Sequence, residues 1–350
     1  MKTRKILFLA ASFFAAAGLL SAQAADPYKA FNTYRAAAEK GLPYPGAPLK
    51  GKVVGFANAL SALPFCALVE NGIKQQLALA GCDLAQNWLS LDNQYNPAVA
   101  LKNLDIVLTR RPDAFVDYQL DVRVNHITAA RFLEAKIPLV SIDVQMPGVH
   151  LAGTNNYTVA VLAGRAMARL IRERWGGWDG VDLVVIMKVP VPTDHIMLRT
   201  EGVADAMAEA FGIDPAKDPK IVRAMGGMGV PDQAKAAMEK VLAAHPEAVR
   251  IALTSHEEAS MTGCIAALKA AGRWDPDRKI VVTMGVDQVG QALLRDGSSD
   301  AGVAFFPEHY GKYLVPVVAA LLTGNAAPPA AFVQNEIITL ANIDRWYPKQ

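Results

Sequence analysis

Few residue sets in this chain could carry out chemistry, and most lack a partner at the required spacing. Gly46-Ala47-Pro48-Leu49-Lys50-Gly51-Lys52 has the outline of a phosphate-gripping loop. Val53, however, follows where a Ser or Thr hydroxyl must reach magnesium, and the loop precedes an apolar run instead of following one. His256-Glu257 opens like a zinc-protease helix, yet Ser260 stands where the second histidine belongs. Gly226-Gly227-Met228-Gly229 lacks the spacing of a dinucleotide loop, and no G-x-S-x-G elbow is present. The six histidines are scattered, and Asn156-Tyr157-Thr158 is a glycosylation sequon by pattern only. What remains is a set of carboxylates, Asp143, Asp287 and Glu257, that could move protons between them as general acid and base. Each also has a plain structural use, because an acid after a strand or at a helix start accepts the first free amides. Arg199 is a cation near a helix start, where it opposes the helix dipole, and that favours a functional reason for it.

The composition narrows the function classes. The chain has 350 residues, a formal net charge of +2, 52% hydrophobic and 19% charged residues. A near-neutral chain offers no basic face for nucleic acid. Lys2, Arg4 and Lys5 precede an uncharged apolar run over 6–20, and Ala22-Gln23-Ala24 is a small-x-small cleavage site. Residues 1–24 thus read as a secretory signal peptide, the run being short of the roughly 20 residues that span a bilayer. Losing those three positive charges takes the net charge from +2 to −1. Of the three cysteines, Cys66 and Cys82 sit at the ends of one expected helix, about 24 Å apart at 1.5 Å per residue, too far for a disulfide. Cys264 lies on another helix, so free thiols are expected, with no zinc spacing and no metal or cofactor implied.

From Lys52 onward short apolar runs alternate with helical segments. Runs at 53–57, 114–118, 138–142, 182–186, 221–225, 250–254 and 280–286 are nearly continuous in apolar residues, the pattern of parallel strands buried on both faces. Helical periodicity covers 66–80, 96–108, 124–135, 157–173, 201–211, 231–244 and 260–271, followed by a long helix over 309–322 and a last strand near 332–339. Alternation of this kind predicts an α/β fold of right-handed βαβ units, in two doubly wound parallel-sheet lobes joined by a hinge. The expected division is 50–143 plus 306–333 for the N-terminal lobe and 144–305 plus 334–350 for the C-terminal lobe. Residues 25–49, with Pro43, Pro45 and Pro48, read as an N-terminal arm or linker outside the core. Ligands in open α/β sheets sit beyond the carboxyl ends of the strands, so the loops after each strand are where a site belongs.

Those loops resemble the periplasmic solute-binding proteins of ABC importers, in the sugar-binding group related to ribose-binding protein. The resemblance runs over about residues 52–340. It rests on Leu63-Pro64-Phe65-Cys66 with Gly72 following, Asp92-Asn93-Gln94-Tyr95-Asn96-Pro97, Ile137 to Val144, and Asn155-Asn156. It continues through Arg199-Thr200-Glu201-Gly202, Glu257 to Gly263, Gly285-Val286-Asp287 and Phe305-Phe306-Pro307. The resemblance implies a small-molecule ligand between the lobes, an ABC permease of the inner membrane as partner, a periplasmic location and no catalysis. A chemoreceptor or sensor kinase is a further partner of that kind; nucleic acid is not, and a monomer is expected. The binding positions it implies are Leu63, Phe65, Cys66, Asp143, Val144, Arg199, Glu257, Asp287 and Phe305.

Against the family pattern, three hydrogen-bonding positions have become apolar: Asn to Leu63, Arg to Val144 and Gln to Phe305. Asn also becomes Glu257, and the second Phe becomes Cys66. A buried sugar hydroxyl without a partner costs about 1–3 kcal/mol. A plain pentose or hexose should therefore bind poorly unless Asn58, Ser61, Tyr118, Gln119 or Lys188 supplies the missing bonds. The expected solute is a polyol or modified sugar with an apolar portion. The rivals are a lipid- or sterol-like ligand, an exported enzyme built on the three acids, and a sensor that hands its closed form to a receptor.

Overall fold

The structure is a computed structural model that describes residues 26–188, 194–226 and 230–349. The expected signal peptide lies outside these residues. The first half runs α1 (Lys29–Glu39), β1 (Val54–Asn58), α2 (Pro64–Leu79), α3 (Leu84–Asn87), β2 (Trp88–Asp92), α4 (Pro97–Arg110), β3 (Ala114–Asp117), α5 (Val122–Ala135), β4 (Leu139–Ile142) and β5 (His150–Gly153). The second half runs α6 (Asn156–Trp175), β6 (Leu183–Lys188), α7 (Asp194–Phe211), β7 (Ile221–Met225), α8 (Pro231–Ala244), β8 (Ile251–Ser255), α9 (Glu258–Ala270), β9 (Lys279–Gly285), α10 (Gln288–Arg295) and β10 (Ala301–Ala304). The chain ends with α11 (Tyr310–Leu322), β11 (Ala330–Phe332), β12 (Glu336–Ile338) and α12 (Ile343–Trp346).

The strands form two six-stranded sheets, ordered β2-β1-β3-β4-β5-β11 and β7-β6-β8-β9-β10-β12. Every pairing is parallel except β10 with β12. The central strands β1, β3, β4, β6, β8 and β9 are buried at every position, which is why their sequences read as nearly continuous apolar runs. In each sheet the strand order reverses beside the first strand, between β1 and β3 and between β6 and β8. The residues at those carboxyl ends, Asn58 and Asp117 in one lobe and Lys188 and Ser255 in the other, end the strands that border the two switch points.

Several expected boundaries move. β2, β5 and β10 fall outside the apolar runs seen in the sequence: β2 is only half buried, β5 starts on a histidine, and β10 is Ala-Gly-Val-Ala. Because β5 pairs with β4, the first sheet continues past the expected break at 143/144. The single strand expected near 332–339 is two strands on different sheets, the chain crossing the hinge between them. Asn335 anchors that crossing by donating to the Ala304 carbonyl (2.9 Å). Nor do residues 26–49 stand outside the core. Ala38, Tyr44 and Leu49 are buried in the first lobe, Tyr44 bonds Gln76 through its hydroxyl, and Arg35 lies over the Tyr313 ring of α11. Helix α7 begins well before the expected residue 201, so Arg199 occupies its second turn and the dipole argument for it weakens.

Helices α2 and α11 cross so closely that only glycine fits. A Cβ on Gly311 would lie 2.1 Å from the Gly72 carbonyl oxygen, and one on Gly72 would lie 2.5 Å from that of Glu308. Gly311→Val is therefore expected to destabilise the protein by about 3 kcal/mol, as overpacking a tight backbone crossing does. Denaturant titration of the purified chain checks this, and an unchanged midpoint would show that the helices part without loss.

Candidate functional site

The site forms where β1, β3 and β4 of one lobe face the start of α7 and the end of β10 in the other. Helix α2 begins with Pro64 in its first turn, after Leu63 in extended backbone with no capping side chain. Leu63 is 36% exposed. Phe65 is the residue that touches both lobes. Its ring meets Tyr310 edge-on at 5.9 Å and Phe305 of the other lobe edge-on at 6.4 Å. Cys66, next in the chain, is buried, and burial pushes its thiol up to about 11, so it stays protonated at neutral pH. Tyr95, which the sequence did not single out as a contact, reaches the Cys66 thiol with its hydroxyl.

Asp143 is the centre of the first lobe's face, and its carboxylate already accepts three hydrogen bonds. Tyr118 donates its hydroxyl to Oδ2 (2.9 Å), the Thr154 amide donates to Oδ1 (2.8 Å), and the Tyr310 hydroxyl donates to Oδ1 (3.0 Å). The backbone at Asp143 is left-handed, φ 59°. Gly153 makes room for this arrangement, since a Cβ there would sit 2.3 Å from Oδ1. Burial pushes the carboxyl of Asp143 above its usual range, opposed by the Thr154 amide and by the nearby Arg199 charge. Val144, expected to present an apolar face to the solute, has no exposed surface.

From the second lobe, Arg199 reaches across the start of α6. Its Nε and Nη2 both donate to Asn156 Oδ1 (3.0 and 2.8 Å), and Nη1 donates to the His256 carbonyl (3.2 Å). The guanidinium sits 4.8 Å from the centre of the Phe305 ring, which is itself 2% exposed. His256 is buried, and burial together with Arg199 pushes its imidazole down to about 3. It is thus neutral near pH 7, and its contact with Glu257 is not an ion pair there.

The other two acids are turned to helix starts. Glu257 accepts the Ala259 and Ser260 amides (2.6 and 2.8 Å), and Asp287 accepts those of Val289 and Gly290 (2.8 and 3.1 Å). Asn58 ties its side chain to the Cys66 carbonyl (3.2 Å) and Glu70 (3.1 Å), locking α2 to β1. Ser61 uses its amide on Asp92, Gln119 accepts the Asp121 amide, and Lys188 pairs with Glu201. The residues brought together are Phe65, Cys66, Tyr118 and Asp143 with Arg199 and Phe305. Tyr310, Thr154, Asn156 and His256 complete the cluster; nothing local in the sequence marks Tyr310, which lies in an apolar helix.

What the arrangement can do is hold a molecule between aromatic rings and a cation. Of the three acids marked in the sequence, hydroxyl and amide donors hold Asp143, and helix amides hold Glu257 and Asp287.

A family model described as a periplasmic binding protein domain matches residues 54–326. Among curated proteins, none matches the sequence significantly. Among solved structures, a periplasmic ribose ABC transporter protein of Conexibacter woesei is similar at 20% identity and a TM-score of 0.74, over 87% of this chain and 97% of that one. A solute-binding protein of Bacillus halodurans with bound myo-inositol matches at 18% identity and a TM-score of 0.69, over 85% and 97% of the two chains. One from Actinobacillus succinogenes with bound D-allose matches at 13% and 0.69, over 84% and 99%. At these identities the likeness carries the fold and not the ligand. Two facing parallel sheets and a family model spanning most of the chain make this protein a member of the periplasmic binding protein domain family, with the type I fold.

Proposed function

We propose that the chain is an exported solute-binding protein that captures a small molecule between its lobes and delivers it to an ABC permease of the inner membrane. The observation that carries this reading is Phe65, whose ring rests on Tyr310 of one lobe and Phe305 of the other, so that lobe closure and the ligand wall share a residue. The binding positions are Phe65, Tyr95, Arg199 and Phe305, with Leu63 at the rim. Asp143 shapes the floor without offering its carboxylate to the solute. The ribose, allose and inositol in the names of the similar structures make a polyol-related solute one candidate. The apolar residues at Leu63 and Phe305 argue for a body with fewer hydroxyls. No helix of the described residues is long and apolar enough to cross a membrane.

A thermal-shift screen of sugars, polyols and organic acids tests the capture. A solute at one hundred times its Kd stabilises the protein by about 2.7 kcal/mol. A hit that binds one to one and is recovered unchanged supports the proposal. Steady conversion of the hit to a product would replace it with the enzyme reading.

A further inference from the structure

Arg199 is a half-buried cation whose partners are all neutral. Three of its five N–H groups go to an amide oxygen and a backbone carbonyl, which leaves one N–H on each of Nη1 and Nη2. The acids around it make their hydrogen bonds to other groups, and Asp143 acts on it only through space. Glu201, two residues on, pairs with Lys188 and Arg223. Glu257 and Asp287 accept helix amides, and Asp143 accepts two tyrosine hydroxyls and the Thr154 amide. Among the described residues, none forms an ion pair with Arg199. A charge taken part way out of water with no carboxylate in contact is unfavourable, even with Asp143 acting on it through space, and the guanidinium fork matches a carboxylate in two parallel bonds. One face of that guanidinium is covered by Phe305, and Phe65 meets the same ring edge-on.

We infer that the captured solute is a small carboxylate with an apolar or ring-shaped body, its carboxylate on the free N–H groups of Arg199 and its body against Phe65 and Phe305. This rests on the proposed capture function and specifies the solute class. A monoanion fits better than a phosphate ester. Arg199 has two free donors, and Lys188, the other buried cation at this end of the sheet, already has its counter-ion. Of the neutral polar groups that a sugar would use, Asn58 gives its side-chain N–H to α2 and Tyr118 gives its hydroxyl to Asp143, while Asn58 Oδ1 and Gln119 Nε2 remain without partners.

The test is isothermal titration of the full chain with benzoate, phenylacetate and cyclohexanecarboxylate, each beside its uncharged amide, and with ribose, myo-inositol and glucose 6-phosphate. The expected result is stoichiometric binding of at least one acid, with its amide at least tenfold weaker. Arg199→Met should abolish that difference while leaving the melting temperature of the unliganded protein within a few degrees, and Arg199→Lys should restore part of it. Amides that bind as tightly as acids overturn the inference, as does an Arg199→Met protein with undiminished acid affinity. So does binding of glucose 6-phosphate or of the neutral sugars without any acid; in that outcome the capture function stands and only the carboxylate is lost. Release of a product from a bound acid overturns both.

Discussion

Replacing Asp143 with alanine is expected to lower the melting temperature of the unliganded protein by roughly 4–8 °C. The side chain gathers donors from the residue after β3, from the residue after β5 and from α11, all of them buried. Truncation leaves the Tyr118 and Tyr310 hydroxyls and the Thr154 amide without their acceptor. Each such loss costs about 1–3 kcal/mol, so the sum falls near 3–5 kcal/mol after the hydroxyls partly re-pair with each other. Asp143→Asn keeps the shape and an acceptor for the Thr154 amide, and its amide group can donate to the tyrosine oxygens. That variant should lose only about 1 kcal/mol. The contrast between the two separates a structural node from a ligand contact. If Asp143→Ala melts with the parent when no solute is present, the carboxylate is held for a ligand and not for the fold.

The second large effect concerns Asp117, at the carboxyl end of β3. It is 5% exposed, and burial pushes its carboxyl up to about 7, opposed by the Asn93 side-chain amide that donates to it (3.0 Å). A folded-state pKa above the unfolded value near 3.9 means that the native state holds its proton more tightly. This group therefore leaves stability intact below about pH 4, removes it as pH rises from there toward 7, and removes no more above. Each tenfold gain in proton affinity on folding corresponds to about 1.4 kcal/mol, so the loss by pH 8 is on the order of 4 kcal/mol. Asp117→Asn keeps an acceptor for Asn93 and carries no charge. It should be more stable than the parent at pH 8 by about that amount and nearly equal to it at pH 4. Urea titrations of both proteins at the two pH values give the comparison directly. A stability difference that does not change with pH would mean that Asp117 is ionised in the folded protein throughout.

Much of the architecture is legible in the residues themselves. Nearly continuous apolar runs mark β1, β3, β4, β6, β8 and β9, because a strand covered on both faces does not alternate. Local capping chemistry marks helix starts too: Asn96, Asp121 and Asn155 each accept amides of the helix that follows. Strands built from small or polar residues escape notice, as β5 and β10 do, since their burial comes from neighbours and not from their own composition. The N-terminal arm misleads for the same reason. Its prolines read as a linker, while Tyr44 and Leu49 find their place only once α2 is there to cover them.

The site divides along the same line. Sequence alone determined that this is a pair of parallel-sheet lobes whose strand-end loops carry Phe65, Asp143, Arg199 and Phe305. The lobes follow from periodicity, which acts over a few residues, and the four residues were marked by the resemblance of their motifs to the solute-binding family. Which of the groups are free to meet a solute was decided only by tertiary structure. Asp143 is claimed by donors 11, 25 and 167 positions away along the chain, and Arg199 by acceptors 43 and 57 positions away. Hydrogen bonds to a buried carboxylate or guanidinium are settled by which strands and helices the fold sets beside it. No spacing in the chain records that.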